Sequence, residues 1–347
     1  MSKKKNRIIA LLREFLPILL ILFFLIFSNS ISYILNQGYH QFLILKKAEP
    51  LEVFFADYSV PAATKEKLLL AQQIKQFAID SLGLKPTKNY STYCNDSSIT
   101  TVYMVMASEP HELKAKEWWF PVIGKVPYKG FFDKEKTMQL KKELIRDGYD
   151  VHVAMAGGWS TLGWFTDPIL PNMIKKSEDA LAELLIHEMV HGTIYLKNND
   201  ELSESLAEFI GREGATKFLQ FYFGKNTKEY QSYMNQKNDE DIFNTFMHKE
   251  YKTLESFYTN NKWQTNTTVL NDKKDSIYLS IISKLNETNF EDSLRYKKTG
   301  KKIMEDRNGF FISFATYNKY ATSLENEFKM KYEKNISKMI TAYSKKN

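Results

Sequence analysis

The sequence predicts an α+β protein: an N-terminal α/β part, a helix carrying a metal-binding motif, and a mainly α-helical C-terminal part, preceded by one transmembrane helix or signal segment. Three observations lead there. Two runs rich in β-forming residues, Ser98–Ser108 and Tyr149–Ala156, lie in the first half of the chain. From Ser177 onward, apolar residues recur almost throughout at helical spacing. An uncharged apolar run, Phe15–Phe27, follows Lys3, Lys4, Lys5 and Arg7. Strands and helices are segregated rather than alternating, which favours one α+β unit. The expected boundaries are a basic segment at 1–14, an anchor or signal at 15–35, a connector at 36–63 and one folded unit at 64–347, whose α/β part ends at 176.

The N-terminus has the charged and apolar regions of a secretion signal. Counted on to Leu35 it also reaches the length of about 20 residues that spans a bilayer. Ser28 and Ser30 offer small residues for cleavage, but an uncleaved membrane anchor is the expectation. The basic residues should stay in the cytoplasm, placing the bulk of the chain on the non-cytoplasmic (periplasmic or envelope) side.

The connector carries some helix and ends near Pro61. Thr64–Leu82 reads as a helix through Leu68, Leu69, Ile74, Phe77, Ala78 and Ile79, stopped by Gly83. Ser98–Ser108 (SITTVYMVMAS) reads as a strand. Phe120–Phe132 contains Pro121, Gly124, Pro127 and Gly130, which suits an irregular edge strand or hairpin. Lys134–Asp147 is helical, Gly148 stops it, and Tyr149–Ala156 is a second strand, followed by Gly157-Gly158 and the loop WSTLGWFTDPILP. Beyond Ser177, helix breaks are expected near 198–200, 224–226 and 260–271.

At 347 residues, with 43% hydrophobic, 26% charged and 14% aromatic residues, the chain can bury a real core. Its net charge of +7 comes from lysines spread along the chain, so a solvated surface and no nucleic-acid partner are expected. The single cysteine, Cys94, excludes an intramolecular disulfide and has no activating motif around it.

The chemistry lies in Ala182–His191, AELLIHEMVH, which contains H-E-x-x-H. Histidines four apart on a helix stand one turn apart on one face, so His187 and His191 can converge on one ion. Imidazole suits zinc, one ion per chain, and a catalytic site uses three protein ligands and leaves one position open. Glu188 lies beside that face, placed to take a proton from water on the zinc and return it. Ser177 is the expected N-cap, with Glu178 and Asp179 in the first turn, and Leu181, Leu184, Leu185 and Met189 make this a half-buried helix. The next helix, from Glu201, carries Glu204, Ala207, Glu208, Gly211 and Ala215 on one stripe whose small residues permit close approach. Glu204, twelve residues after His191, is the expected third ligand. Glu208, one turn on, is expected to orient a ligand histidine, and Glu183, one turn before His187, either to support the site or to hold a substrate amine.

These residues resemble the bacterial putative aminopeptidase family of zincins, envelope proteins associated with membranes. The likeness covers most of the chain after the anchor and is strongest at WWFPVIGKVPYKGFFD (Trp118–Asp133), GYDVHVAMAGGWSTLGWFTDPIL (Gly148–Leu170), LAELLIHEMVHGTIYL (Leu181–Leu196) and ELSESLAEFIGREG (Glu201–Gly214). It implies a gluzincin-like fold, peptide hydrolysis, His187, Glu188 and His191 as the site, and Glu204 as third ligand. Members often carry a lipoprotein cysteine at the signal. None stands there in this chain, which favours a helical anchor.

An oxyanion needs a donor besides the metal. Tyr195, four residues after His191, Tyr128, and Tyr317 in NGFFISFATYNKY are the candidates, while Trp164 and Phe165 are expected to pack. The leading reading is an aminopeptidase acting on peptides or proteins. An endopeptidase would need an open groove with an edge strand, from Phe120–Phe132 or Trp159–Phe165. A non-catalytic binding or scaffold protein would be expected to have lost Glu188 or a ligand, and both are present.

Overall fold

A computed structural model describes residues 32–120, 124–155, 165–197 and 199–345. The basic segment, the apolar run and Trp159–Trp164 lie outside the described residues. Of the expected anchor, only residues 32–35 are described, and they begin a helix, α1 (residues 32–47). Among the described residues, no helix is long and apolar enough to cross a membrane.

The segment read as a connector is built into the protein. After α1 come β1 (Ala48–Pro50) and α2 (Leu51–Ala56), and Ile44, Leu51 and Phe54 are core residues. The long helix α3 (Ala62–Phe77) continues into a wider π turn (Ala78–Leu82) and ends at Gly83, whose φ of 83° is left-handed. β2 (Thr92–Cys94) pairs antiparallel with β1. The expected strand from Ser98 starts late. Its first residues form a short helix, α4 (Ser97–Thr100), because the Asp96 carboxylate accepts from both the backbone N–H and the hydroxyl of Ser98. β3 (Tyr103–Ser108) follows.

β4 (Trp118–Phe120) and β5 (Gly124–Val126) form the expected hairpin, whose residues 121–123 lie outside the described set. β6 (Lys129–Phe131), the capped helix α5 (Lys134–Arg146) and β7 (Asp150–Met155) complete this half. The main sheet is antiparallel with order β6-β3-β7, and β3 pairs with β7 from Tyr103↔Met155 to Ser108↔Asp150. The outer edge of β6 is engaged at Gly130, whose carbonyl accepts from Tyr33 Oη (2.8 Å) and Gln37 Nε2 (3.0 Å) of α1.

The rest is helical: α6 (Pro171–Ile174), α7 (Glu178–Thr193), α8 (Asp200–Tyr222), α9 (Lys228–Asn261), α10 (Thr267–Glu287), α11 (Ser293–Asp306), α12 (Asn308–Asn318), α13 (Ala321–Met330) and α14 (Ile336–Ser344). All three expected breaks occur, and three further ones follow α10, α12 and α13, with a sharp corner at Arg307. These later breaks lack glycine and proline. Asp292 and Asn335 cap the following helices through their side chains, and Arg307, Glu333 and Lys334 adopt positive φ. The parts form a helix-rich α+β protein.

α7 is a core helix rather than the half-buried one expected. From Leu181 to Val190 no residue is exposed, and Leu181, Ala182, Leu185 and Ile186 are fully enclosed. It begins after Ser177 as read, although the Ser177 side chain makes no capping bond. Lys67 instead holds the helix start, bonding the Glu178 carboxylate and the Lys176 carbonyl.

Candidate metal centre

The site rests on the close approach of α7 and α8. A Cβ on Gly211 would lie 2.9 Å from the Glu183 carbonyl oxygen and 3.3 Å from His187 Cβ, and one on Gly214 would meet Ile186 and Leu82 at 2.8–3.1 Å. Only hydrogen fits at these positions, so the small-residue stripe brings the two backbones together and carries Glu204 to the two histidines.

Three side chains meet there. Nε2 of His187 and Nε2 of His191 stand 3.2 Å apart. Glu204 Oε2 is 3.5 Å from the first and Glu204 Oε1 is 3.5 Å from the second. Donors bound to zinc at about 2.0–2.1 Å and at the tetrahedral angle stand about 3.3–3.4 Å from one another. The 3.2 Å between the imidazole nitrogens is close to that edge, each nitrogen has a Glu204 oxygen at 3.5 Å, and two imidazoles with one carboxylate are ligands zinc takes. His187, His191 and Glu204 form the one candidate metal cluster among the described residues.

The charges agree. Burial opposes the charged form of His187, yet Glu204 and Glu208 outweigh it and raise the imidazole pKa. Burial likewise works against the Glu204 carboxylate, but the two histidines hold its pKa below the usual range. The cluster therefore favours positive charge between its donors, which protons supply in part and a divalent cation would supply more fully.

Behind the donors, Glu208 Oε2 faces Nδ1 of His187 at 3.5 Å. That places a carboxylate where it selects the tautomer leaving Nε2 free for a metal. Glu208 in turn feels Arg212, one turn on, whose guanidinium is held by Asp241 of α9 at 2.9 Å. Glu183 accepts from Tyr233 Oη of α9 at 2.8 Å, and burial, with Glu240 and Glu208 nearby, pushes its carboxyl up to about 8. Glu183 is thus tied to α9.

Glu188 lies within electrostatic reach of both histidines, Glu204 and Asp167. Desolvation raises its pKa, and the histidines partly oppose this. Tyr317 of α12 is drawn into the same neighbourhood: burial and then Glu204, Tyr128, Glu208 and Glu188 all push its phenol pKa up. Tyr195 is placed otherwise than expected. α7 ends at Thr193, Ile194 turns extended, and Tyr195 leaves the His191 face with 67% of its surface exposed. Phe165 is half exposed, and Trp164 lies outside the described residues.

Sequence reasoning passed over four residues here. Tyr90 and Asp167 are buried, act electrostatically on Glu188 or on each other, and are joined by the Tyr90 N–H to Asp167 carbonyl bond of 2.7 Å. Tyr90 has φ of 63°, a left-handed conformation costly for a tyrosine, which no local pattern announces. Arg212 and Tyr233 read as ordinary helix residues until α9 packs on α8. Cys94 is buried, and burial raises its thiol pKa, so it offers no reactive thiolate.

Fold and site together define a helix-rich α+β protein with a candidate His-His-Glu metal centre. The chain belongs to the family described as "Putative aminopeptidase", whose model matches residues 32–345. No curated protein and no solved structure matches it.

Proposed function

We propose that this chain is a zinc-dependent peptide hydrolase, an aminopeptidase as its family's description says, with His187, His191 and Glu204 holding one zinc ion. The observation that carries this is the convergence of three side chains, the imidazole nitrogens 3.2 Å apart and each 3.5 Å from a Glu204 oxygen, on two helices in close contact at Gly211. Zinc, when bound, supplies a Lewis acid that polarises a carbonyl and makes water acidic.

The chain's own groups do the rest. Glu188 accepts a proton from the attacking water and passes it to the departing amine nitrogen, so it begins and ends the cycle ionised. Desolvation raises its pKa, which favours its taking the proton. Tyr317 donates a hydrogen bond to the oxygen that gains charge as the amide carbonyl becomes tetrahedral. Glu208 keeps His187 in one tautomer. The apolar run at Phe15–Phe27 supports a membrane anchor, with this unit on the non-cytoplasmic side.

One observation favours an endopeptidase as the second reading: Glu183, a candidate grip for a substrate amine, is engaged by Tyr233. The test is metal analysis followed by turnover of free and N-terminally blocked peptides. About one zinc per chain and hydrolysis of free N-termini, abolished by a chelator and restored by zinc, is the expected result. Cleavage of blocked peptides would select the second reading. Undiminished turnover without metal would remove both.

A further inference from the structure

Outside the metal centre, α1 has two unlike faces. Its inner face is committed: Tyr33 and Gln37 bond Gly130, His40 stacks on Phe132 with ring centroids 4.8 Å apart, and Gln41 and Ile44 are buried. Its outer face exposes Leu35 by 67%, Tyr39 by 60% and Phe42 by 60%, with Ile34 beside them at 39%. Positions 35, 39 and 42 follow helical spacing, so they form one stripe.

The stripe is not an ordinary solvent face. From Phe15 to Leu45 the sequence holds no Asp, Glu, Lys or Arg, in a chain that is 26% charged. The uncharged stretch thus runs past the apolar segment through nearly all of α1, and Lys46 is the first charge after it. The N-terminal segment outside the described residues ends at Ile31, directly before α1.

We infer that the Leu35, Tyr39 and Phe42 face of α1 lies against the lipid bilayer surface, as an interfacial helix continuing from the anchor. The inference rests on the anchor reading. A helix with an apolar face and an uncharged flank lies in the plane of the headgroup boundary, with a tyrosine ring suited to that depth. Lys46, exposed at the far end, meets the phosphate layer. The opposite face of the same helix is bonded to β6, two residues beyond Tyr128. The bilayer is thereby joined, across one helix diameter of about 10 Å, to the strand edge beside the Tyr128–Tyr317 side of the centre.

Full-length protein is reconstituted into phosphatidylcholine–phosphatidylglycerol vesicles and floated on a density gradient. Nitroxide labels are placed by Tyr39→Cys and Phe42→Cys, with Met330→Cys, at an 86% exposed position, as the aqueous control. Cys94 is buried and should stay unlabelled. Labels at 39 and 42 should collide with oxygen several-fold more than with a water-soluble nickel chelate, and the label at 330 should show the reverse. Three outcomes would overturn the inference in protein that floats: nickel access at 39 and 42 equal to that at 330, shielding from both probes by the chain's own N-terminus, or dipolar broadening from a second copy. Failure to float would remove the anchor reading as well, so the two failures are distinguishable.

Discussion

Nδ1 of His187 faces Oε2 of Glu208 at 3.5 Å, while Nε2 of the same ring faces Oε2 of Glu204 at the same distance. One imidazole is thus bracketed by two carboxylates a single turn apart on α8. The two have different tasks: Glu204 also reaches His191 at 3.5 Å, and Glu208 has Arg212 beside it.

Removing the two charges should therefore have unequal effects. Glu208→Gln should weaken zinc affinity by about 10- to 100-fold while leaving a stoichiometry of one at saturation. Glu204→Gln removes a ligand, and zinc should be lost on dialysis. Competition titration against a chelator checks both. The reverse order would place the third ligand one turn later.

A second prediction concerns Glu188. Glu188→Gln keeps the shape of the side chain but cannot accept a proton. It should retain zinc and lose turnover by a factor on the order of 10² to 10⁴. Equal activity in wild type and variant, measured on the same peptide at full metal occupancy, would show that the proton moves elsewhere.

The helix contact gives a third. Gly211→Ala forces a methyl to 2.9 Å from a backbone oxygen, where no flexible side chain can give way. The variant should lose about 1–3 kcal/mol of stability, as overpacked positions do. Zinc affinity should fall with it, because α8 carries Glu204. Gly192→Ala has nothing within 4 Å of the new carbon and should be neutral or mildly stabilising through helix propensity. Denaturation curves of the metal-free proteins separate the two.

How much of this was legible beforehand follows the range of the interactions. H-E-x-x-H and the Glu204 stripe declare themselves because helical spacing is local, and the residues read there are the ones that meet in the candidate cluster. The α+β order and the glycine stops at Gly83 and Gly148 were equally local. What stayed hidden depends on distant segments. That the middle of α7 is a core segment depends on α3 and α8. Glu183 reads as a support for the site or a grip for a substrate amine, and its bond from Tyr233, fifty residues on, is not visible locally. Tyr195 lies beyond the helix because α7 ends at Thr193 and Ile194 is extended, a stop that the four-residue spacing from His191 does not announce.

Glu183 supplies a fourth prediction, on stability. Its carboxyl is raised from 4.5 to about 8 in the folded protein. The folded state therefore binds a proton that the unfolded chain releases. This contribution is fully present below the unfolded value of 4.5 and is lost as pH rises toward about 8. Stability of the metal-free protein should fall across that window. Glu183→Gln, which can still accept from Tyr233, should flatten the curve. Parallel curves for the two proteins in urea would place the pH dependence on other groups.

The last prediction separates the two tyrosines. Tyr317 stands on α12, whose start is fastened to the sheet: a Cβ on Gly309 would lie 2.7 Å from the His152 nitrogen. Beside it, Asn308 Oδ1 accepts from Tyr258 Oη at 2.8 Å and Tyr278 Oη at 2.7 Å. This mount is buried, and it anchors the helix that brings Tyr317 within electrostatic reach of the carboxylates. Tyr195 is placed differently. It follows the last residue of a helix cap and is 67% exposed. Tyr317→Phe should lower kcat by about 10²- to 10³-fold, the usual loss for one such donor, with KM and zinc content nearly unchanged. Tyr195→Phe should stay within about twofold of wild type, as expected for a side chain 67% exposed beyond the helix end. Loss confined to KM in Tyr317→Phe would make the tyrosine a substrate contact. A large kcat loss in Tyr195→Phe would mean that the segment after Thr193 folds back over the centre when substrate binds.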